Sequence, residues 1–414
     1  MTPGPTERRV ALWTTGVGLV VTIVGAAVLV PWDAVPGGPL TPAPVSSVLS
    51  PEEVARAEEF SRWARTWSWS SLALSLAVAC WFGFSARGRR LVERVPGPWW
   101  VQVPLVVAVL ALLGRLVTFP CAVALQRLRL DVGLSRQEWL AFTRDVLTSQ
   151  VVMIVTTSIA VLVLVACARR WPRAWPAVTG TLLAGFVLAG SFVYPLVVEP
   201  AFNDFASLPD GDLRTQVLRL ADEQGVEVDD VLVADASRRT TTLNAYVSGL
   251  GSTRRVVVYD TLVDGVGERE TLAVIAHELA HARHRDVLIG TLLGAAGCLV
   301  GVGLLALLLG ALRERGVDAV PGRAEVVPLL LALAAWASLA TSPVVNGVSR
   351  QLEARADVDA VRTTGDPESF ISLQRELAVR SLADPSPPWL ARVWFSSHPG
   401  LLERVAIAER VGAE

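Results

Sequence analysis

The stretch His277–Leu309 reads HELAHARHRDVLIGTLLGAAGCLVGVGLLALLL and joins two different kinds of sequence. From Val287 onward it contains no charged residue, and about 20 apolar residues are enough for a helix to span the hydrocarbon core of a bilayer. Immediately before this run lies the pattern H-E-x-x-H, which puts two imidazoles on one face of a helix with a carboxylate beside them. The sequence therefore predicts a catalytic helix that leads directly into a membrane span.

Six more stretches are long and apolar enough to cross a membrane. Hydrophobic residues make up 52% of the 414 residues and charged residues only 18%, whereas a soluble domain of this size carries more charge. Tryptophans lie at several ends of these stretches, where an interfacial aromatic belt is expected. The chain is therefore predicted to be a mainly α, polytopic membrane protein. Its seven predicted spans are Val10–Pro31, Trp67–Ala86, Trp99–Phe119, Ser149–Ala168, Trp175–Val197, Val287–Leu309 and Val326–Val345.

Polar segments divide the chain into four predicted parts. Residues 1–198 hold five spans, and residues 199–286 form an α+β catalytic segment that contains the H-E-x-x-H helix. Residues 287–348 hold two more spans, and residues 349–414 form a helical C-terminal segment.

The catalytic segment has the local patterns of a small α+β unit. Helical periodicity covers residues 210–224, and a second helix begins at Glu268 and contains the metal-binding pattern. Three short runs of β-branched and aromatic residues predict strands at Val231–Ala234, Ala245–Leu250 and Arg255–Tyr259.

Charge and cysteine content exclude two classes of function. The net charge of −2 gives no support to a nucleic-acid or other polyanionic partner. The four cysteines lie in or beside apolar stretches without paired spacing, so they indicate neither a disulfide framework nor a metal site. One charge is unusual, because Arg115 falls inside the third span; it either snorkels towards the membrane surface or faces an internal aqueous cavity.

Two histidines and a carboxylate in H-E-x-x-H suit zinc-dependent hydrolysis. His277 and His281 can hold one zinc ion, and Glu278 can take a proton from a water that the metal activates. His284 lies seven residues after His277, about 10 Å along the helix axis, which is too far for a shared ion. It is interpreted as an ordinary polar residue of the helix.

The segment after the last predicted span contains the candidate for a third metal ligand. There Glu353 and Asp357 are four residues apart and face one side of a helix. Glu353 would ligate the metal, and Asp357 would orient a histidine ring through its other N–H. The alternative is a solvated charged face, in which Arg350, Arg355 and Arg362 pair with these acids.

The chain resembles the membrane zinc peptidases typified by the type-1 CAAX prenyl endopeptidase, which are related to the heat-shock membrane peptidases. The resemblance rests on many motifs beyond H-E-x-x-H and covers nearly all of the chain after the fifth span. The matching segments are Tyr194-Pro195, Glu199-Pro200, Phe202-Asn203, Leu208–Leu213, Asp235–Arg239, Asn244-Ala245-Tyr246, Val258–Leu262, His277–His281, Ser349–Asp357, and Ser397-His398-Pro399 with Arg404.

This resemblance implies a fold and a set of roles. It implies about seven transmembrane helices around an intramembrane chamber, closed at one end by a small zincin-like (gluzincin) α+β unit, and one zinc ion per chain. The implied roles are zinc ligand for His277, His281 and Glu353, general base for Glu278, oxyanion stabilisation for His398, support of the metal ligands for Asp357 and Asp286, and substrate binding for Asn244, Ala245, Tyr246 and Arg404.

Departures from the family pattern bear on the substrate. Asp286 stands where the prenyl proteases have a further histidine, Ala280 replaces a glycine, and Gly400 replaces a second proline. The composition suggests a bacterial cell membrane, where prenylated CAAX tails are not expected. We therefore expect an endopeptidase that acts on peptide or membrane-protein substrates in the lipid bilayer.

Two other functions fit part of the same sequence. One is the metallopeptidase component of a sensor–transducer, and the other is a catalytically inactive membrane scaffold with structural zinc. Orientation is also open, since the arginines of the short loops favour a cytoplasmic N-terminus and, with seven spans, an external catalytic segment. The resemblance implies instead an active site that opens to the cytosol.

Overall fold

The computed structural model describes residues 4–249 and 254–414. Leu250, which the sequence places at the end of the second predicted strand, lies outside the described residues. The helices are α1 Pro5–Leu29, α2 Val45–Val48, α3 Pro51–Gly83, α4 Ala86–Glu93, α5 Trp99–Asp131, α6 Trp139–Arg170, α7 Trp175–Val193, α8 Asp212–Glu223, α9 Asp260–Val263, α10 Glu268–His284, α11 Asp286–Glu314, α12 Val327–Thr364, α13 Pro367–Ser381, α14 Trp389–Phe395 and α15 Leu401–Gly412. The strands are β1 Phe205–Ser207, β2 Asp230–Ala234, β3 Ala245–Ser248 and β4 Arg255–Tyr259.

The predicted spans correspond to long apolar helices. By length and composition, α1, α5, α6, α7, α11 and α12 can each cross a membrane. Helices α3 and α4 pass the same test only as a pair, and they are bent by 71° at the break between them. Within residues 4–249 and 254–414 there are thus six helices that can span a membrane, or seven if the bent pair is one span, which is the number that the sequence predicts.

These helices pack side by side in the order α1, α11, α7, α6, α5, α3 and α12. The catalytic helix α10 contacts α12, which is one end of this row, and also α11, the second helix from the other end. Away from the catalytic end, apolar side chains fill the space between the helices and form what we call the far core. The far core includes Val103, Val106 and Val107 of α5, Val161, Leu164, Val165 and Ala168 of α6, Leu309 of α11, and Val327 and Leu330 of α12.

The catalytic unit contains a four-stranded sheet in the order β1-β2-β4-β3. Strands β2 and β4 are parallel, and the outer two pair antiparallel to them. The sequence predicts three of these strands and misses β1, whose three residues are too short for a periodic signal. Helices α8 and α10 pack on the sheet through buried residues such as Val217, Val258, Ile275 and Leu279. This mainly α membrane fold with a small α+β unit confirms the predicted fold class.

A sharp turn at Arg285 separates the catalytic helix from the following membrane span. Arg285 has φ 57° and ψ 40°, the left-handed conformation that usually belongs to glycine. Helix α10 ends at His284 and α11 begins at Asp286, so the chain changes direction within one residue. This turn lets α10 lie against the sheet while α11 enters the bundle.

Glycines allow α1 to approach α11 closely. A Cβ on Gly303 would overlap the Thr15 hydroxyl and lie 2.8 Å from the Thr15 backbone nitrogen, and a Cβ on Gly18 would lie 2.8 Å from the Val300 nitrogen. Small residues at such crossings are how membrane helices gain packing contact.

We therefore expect Gly303→Val to destabilise the protein by about 1–3 kcal/mol, because the added side chain forces α1 away from α11. The measurement is thermal unfolding in detergent. Gly301→Val is the matched control, since a Cβ at Gly301 meets nothing within 4 Å and the change in helix propensity is the same. Equal loss of stability in the two variants would contradict the close α1–α11 contact.

Candidate metal centre

The two histidines of the motif and one carboxylate converge between α10 and α12. Nε2 of His277 lies 3.1 Å from Nε2 of His281 and 3.2 Å from Oε2 of Glu353. Nε2 of His281 lies 3.6 Å from Oε1 of Glu353. One ligand atom from each of the three residues lies within 4.8 Å of the others, which is the spacing of groups around a shared ion. We call these residues the His–His–Glu cluster.

The outer nitrogen of each ring is held by a separate carboxylate. Nδ1 of His277 lies 2.9 Å from Asp357, and Nδ1 of His281 lies 2.8 Å from Asp286. Since a carboxylate can only accept, each Nδ1–H donates, and each neutral ring keeps a lone pair on Nε2. Carboxylates placed in this way fix the tautomer of a metal-binding histidine and make it a stronger ligand.

The donor set of the cluster fits a metal cation. Two Nε2 lone pairs and a carboxylate face one another, and none of these atoms brings a proton to the others in that state. Oε2 of Glu353 is buried without a hydrogen-bond partner in the part of the chain that the structure describes. Such buried acceptors are costly unless a cation joins them, so His277, His281 and Glu353 suit a divalent metal with nitrogen and oxygen ligands.

Two arginines complete the carboxylate network. Arg404 of α15 donates from Nε to Asp357 at 2.8 Å and makes a second bond to the same carboxylate through Nη2. Arg355 of α12 donates to Asp286. The sequence predicts substrate binding for Arg404, but the structure places it behind the cluster, where its Nη2 also lies 3.4 Å from Nδ1 of His277.

The sequence analysis does not assign Arg355 a part in the site. Its only sequence signal is its position two residues after Glu353, on the segment that also carries Asp357. Such a position fits equally well with a solvated charged face, and only the fold shows that Arg355 reaches Asp286 on α11.

His284 has a different partner from the other motif histidines. Its Nε2 lies 2.6 Å from Oδ2 of Asp359, and it is not part of the cluster. This is the ordinary polar role that its spacing predicts. Asp359 follows Asp357 by two residues and therefore points to a different side of α12.

His398 lies on the open side of the cluster. Its Nε2 is 3.4 Å from Oε1 of Glu353, its side chain is 60% exposed, and Nδ1 is 2.9 Å from the Ser397 hydroxyl. Desolvation by the surrounding protein lowers the pKa of His398, although Glu353 opposes this effect. The lowered pKa favours the neutral ring, which can offer a hydrogen bond beside the cluster.

Burial also changes the acid–base properties of the motif itself. Desolvation raises the pKa of Glu278, although His277 and His281 act in the opposite direction. A carboxylate with a raised pKa is a better proton acceptor near neutral pH. Burial is the largest single effect on the pKa of His277 and lowers it, but the hydrogen bonds to Asp357 and Glu353 and the charge of Asp357 together outweigh burial and raise the pKa.

The predicted substrate-binding strand lies at one edge of the sheet. Among the described strands β3 pairs with β4 alone, and α10 packs beside it. Asn244, just before β3, is exposed, Ala245 is buried, and Tyr246 packs edge-on against Tyr259 at 6.5 Å. Ser248 ends the strand and donates to Glu199 at 2.9 Å. An edge strand of this kind offers unpaired backbone groups to an extended peptide.

Membrane helices, a small mixed sheet and a His–His–Glu cluster formed by an H-E-x-x-H helix and α12 together define a membrane metallopeptidase. Residues 207–411 match the model of peptidase family M48, and residues 39–204 match the model described as the CAAX prenyl protease N-terminal region with five membrane helices. The chain belongs to peptidase family M48.

Known relatives agree with this placement. The metalloprotease YhfN of Bacillus subtilis is 30% identical over 393 residues, which cover 91% of this chain and 90% of YhfN. A CAAX prenyl protease 1 homolog of Arabidopsis thaliana is 30% identical over 220 residues, and the match covers 51% of each protein. The crystal structure of S. mikatae Ste24p shares the fold, with a TM-score of 0.78 at 18% identity over 97% of this chain and 99% of that one. The protein is thus a multi-pass membrane metallopeptidase with a Ste24p-like fold.

The buried pair of Arg404 and Asp357 gives a test of how the site is held together. Their side chains are 13% and 0% exposed, so Arg404→Leu leaves the buried Asp357 carboxylate without its positively charged partner. We expect a loss of stability of about 3–5 kcal/mol in thermal or denaturant unfolding. Arg362→Leu is the control, because Arg362 and Glu414 are 51% and 45% exposed and an exposed pair contributes at most about 1 kcal/mol. Similar losses in the two variants would refute the structural role of Arg404.

Proposed function

We propose that this protein is a zinc-dependent endopeptidase of the membrane whose active site is the His–His–Glu cluster. The observation that carries the proposal is the convergence of two Nε2 lone pairs and the Glu353 carboxylate, while Asp357 and Asp286 hold the opposite sides of the two rings. His277, His281 and Glu353 are the proposed zinc ligands, and three protein ligands leave a position open for chemistry.

Zinc bound there would act as a Lewis acid and make a water molecule a nucleophile at neutral pH. Glu278 follows the first ligand in the motif, and its raised pKa suits it to accept the proton of that water. Glu278 can then pass the proton to the leaving amine. His398 lies on the exposed side of the cluster, where its imidazole can donate to the oxygen that becomes negative in the transition state.

The remaining predicted residues have supporting roles. Asp357 and Asp286 fix the rings of His277 and His281, and Arg404 holds Asp357 rather than the substrate. The exposed edge of β3 at Asn244-Ala245-Tyr246 is the proposed support for the substrate backbone, which would add as a strand. We propose as well that the four segments of the chain divide the work, with the catalytic residues in 199–286 and 349–414.

The proposed substrates are extended peptides or unfolded segments of membrane proteins. The CAAX prenyl proteases among the relatives match only part of this chain, and at most about half of their own length where they match best. YhfN matches over nearly its whole length, and its name specifies a metalloprotease alone. The proposal is therefore peptide-bond hydrolysis at a membrane, without a requirement for a prenyl group.

Glu278→Gln tests the general base. We expect this variant to keep about one zinc per chain, because the ligands are unchanged, and to lose at least about 100-fold in kcat. The measurement is zinc content by elemental analysis together with cleavage of an unstructured reporter peptide in detergent. Zinc binding with near-normal cleavage in the variant would refute the role of Glu278.

The choice of the third ligand is tested by a pair of substitutions. Glu353→Ala removes one of three protein ligands and is expected to lose zinc during purification, whereas His284→Ala is expected to retain it, since His284 pairs with Asp359. Zinc content and thermal unfolding with and without added zinc are measured for both. If His284→Ala loses zinc while Glu353→Ala retains it, the assignment is wrong.

A further inference from the structure

All three tyrosines of the chain lie together with one carboxylate near β3. They are Tyr194, Tyr246 and Tyr259. Tyr246 packs edge-on against Tyr259, with the ring centroids 6.5 Å apart, and the backbone N–H of Glu199 donates to the carbonyl oxygen of Tyr194 one helical turn earlier. Burial is the largest effect that raises the pKa of the Tyr246 phenol, and the other three residues, Glu199, Tyr259 and Tyr194, raise it further. We call these four residues the tyrosine–Glu199 group.

The pleat of β3 places this group on the face of the sheet opposite α10. Ala245 and Val247 pack in the core that the sheet shares with α10. Successive side chains of a strand point to opposite faces, so Tyr246 and Ser248 point away from α10. Tyr246 accordingly packs with Tyr259 in a second, smaller apolar cluster on that other face of the sheet.

The chain between α7 and β1 brings Glu199 to the end of β3. Ser248 donates to the Glu199 carboxylate, with its hydroxyl oxygen 2.9 Å from one carboxylate oxygen and 3.2 Å from the other. β1 and β3 are the two outer strands of the sheet, so the chain then crosses from one edge to the other before it enters β1. Tyr194 is 56% exposed, and Glu199 and Tyr246 are half-buried. The group is therefore partly open to solvent.

The contacts of the Glu199 carboxylate leave it able to meet a cation. Among the described residues its side chain accepts hydrogen bonds from Ser248 alone. Arg255 lies across the ladder from Ser248, but it makes no ion pair with Glu199 in the part of the chain that the structure describes, and it acts on that carboxylate only through its charge at a distance. A carboxylate beside aromatic rings attracts a cation in two ways, by its own charge and by the negative faces of the rings.

We propose that the tyrosine–Glu199 group is a subsite for an arginine or lysine side chain of the peptide substrate. A peptide that adds to β3 as a strand directs every second side chain to the face of Tyr246 and the others towards α10. A side chain opposite or diagonal to Tyr246 begins about 5–8 Å from it, within reach of a long cationic side chain. The site thus selects extended peptides with a basic residue at a fixed distance from the cleaved bond. This inference rests on the proposed peptidase activity and on β3 as the support of the substrate.

The test uses quenched-fluorescent peptides in which one arginine is moved through the positions on either side of the cleaved bond. Each is compared with the same peptide containing citrulline, which has nearly the shape of arginine without its charge. In the wild type we expect the arginine peptide to have a KM about tenfold lower at one position. Glu199→Gln, which keeps the shape and can still bond Ser248, is expected to bring that KM ratio close to one. The control is Glu227→Gln, an exposed glutamate of the same catalytic segment, which should keep the wild-type ratio.

The outcomes separate the two proposals. If the wild type cleaves arginine and citrulline peptides with equal KM at every position, the cation subsite is overturned and the peptidase stands. A preference that is the same at all positions, or that survives Glu199→Gln, also overturns the subsite. If Glu199→Gln fails to fold, Tyr194→Leu removes one exposed ring of the group, and a weakened preference in this variant supports the subsite while an unchanged one counts against it. If the wild type cleaves none of the peptides, both proposals fall together.

Discussion

The contact between α10 and α12 is the interaction on which the rest of the structure depends. His277 is held on one side by Asp357 at 2.9 Å and faces Glu353 with the other nitrogen at 3.2 Å. Both carboxylates belong to α12, one turn apart, so a single helix supplies an inner and an outer partner to the same ring. The position of α10 relative to the membrane bundle therefore also sets the geometry of the metal centre.

This arrangement explains why so much charge is buried around one site. Asp357 is fully buried and Asp286 nearly so, and removal of either partner from such a pair costs several kcal/mol. Arg404 and Arg355 neutralise them from α15 and α12, outside the face that would meet a substrate. The buried network thus fixes two imidazoles, and Glu278 and His398 lie outside it.

The sequence predicts the parts of the structure that follow from local pattern. The membrane helices, α8, α10 and three strands follow from the hydrophobic pattern. Helical spacing puts Glu353 and Asp357 on one face of a helix, and the resemblance to the zinc peptidases implies that Glu353 joins the motif. Strand β1 is missed because three residues carry no period. The bend between α3 and α4 is missed because α4 is a short helix that contains Arg87, Arg89 and Arg90 and therefore has no apolar run of its own. The function of Arg404 cannot be predicted from spacing, because its partner lies 47 residues earlier and only the fold brings α15 to α12.

The length of α12 places the chemistry relative to the membrane. Its 38 residues measure about 57 Å, whereas the hydrocarbon core is about 30 Å thick. Counted from Val327, a length of about 30 Å along α12 ends near Asn346. The side chain of Asn346 donates a hydrogen bond to the backbone of Trp394. Trp394 packs against Trp389, and tryptophans are common at a membrane interface. Glu353 lies about 10 Å beyond this level. The length of α12 therefore carries the metal centre past the apolar part of the helix.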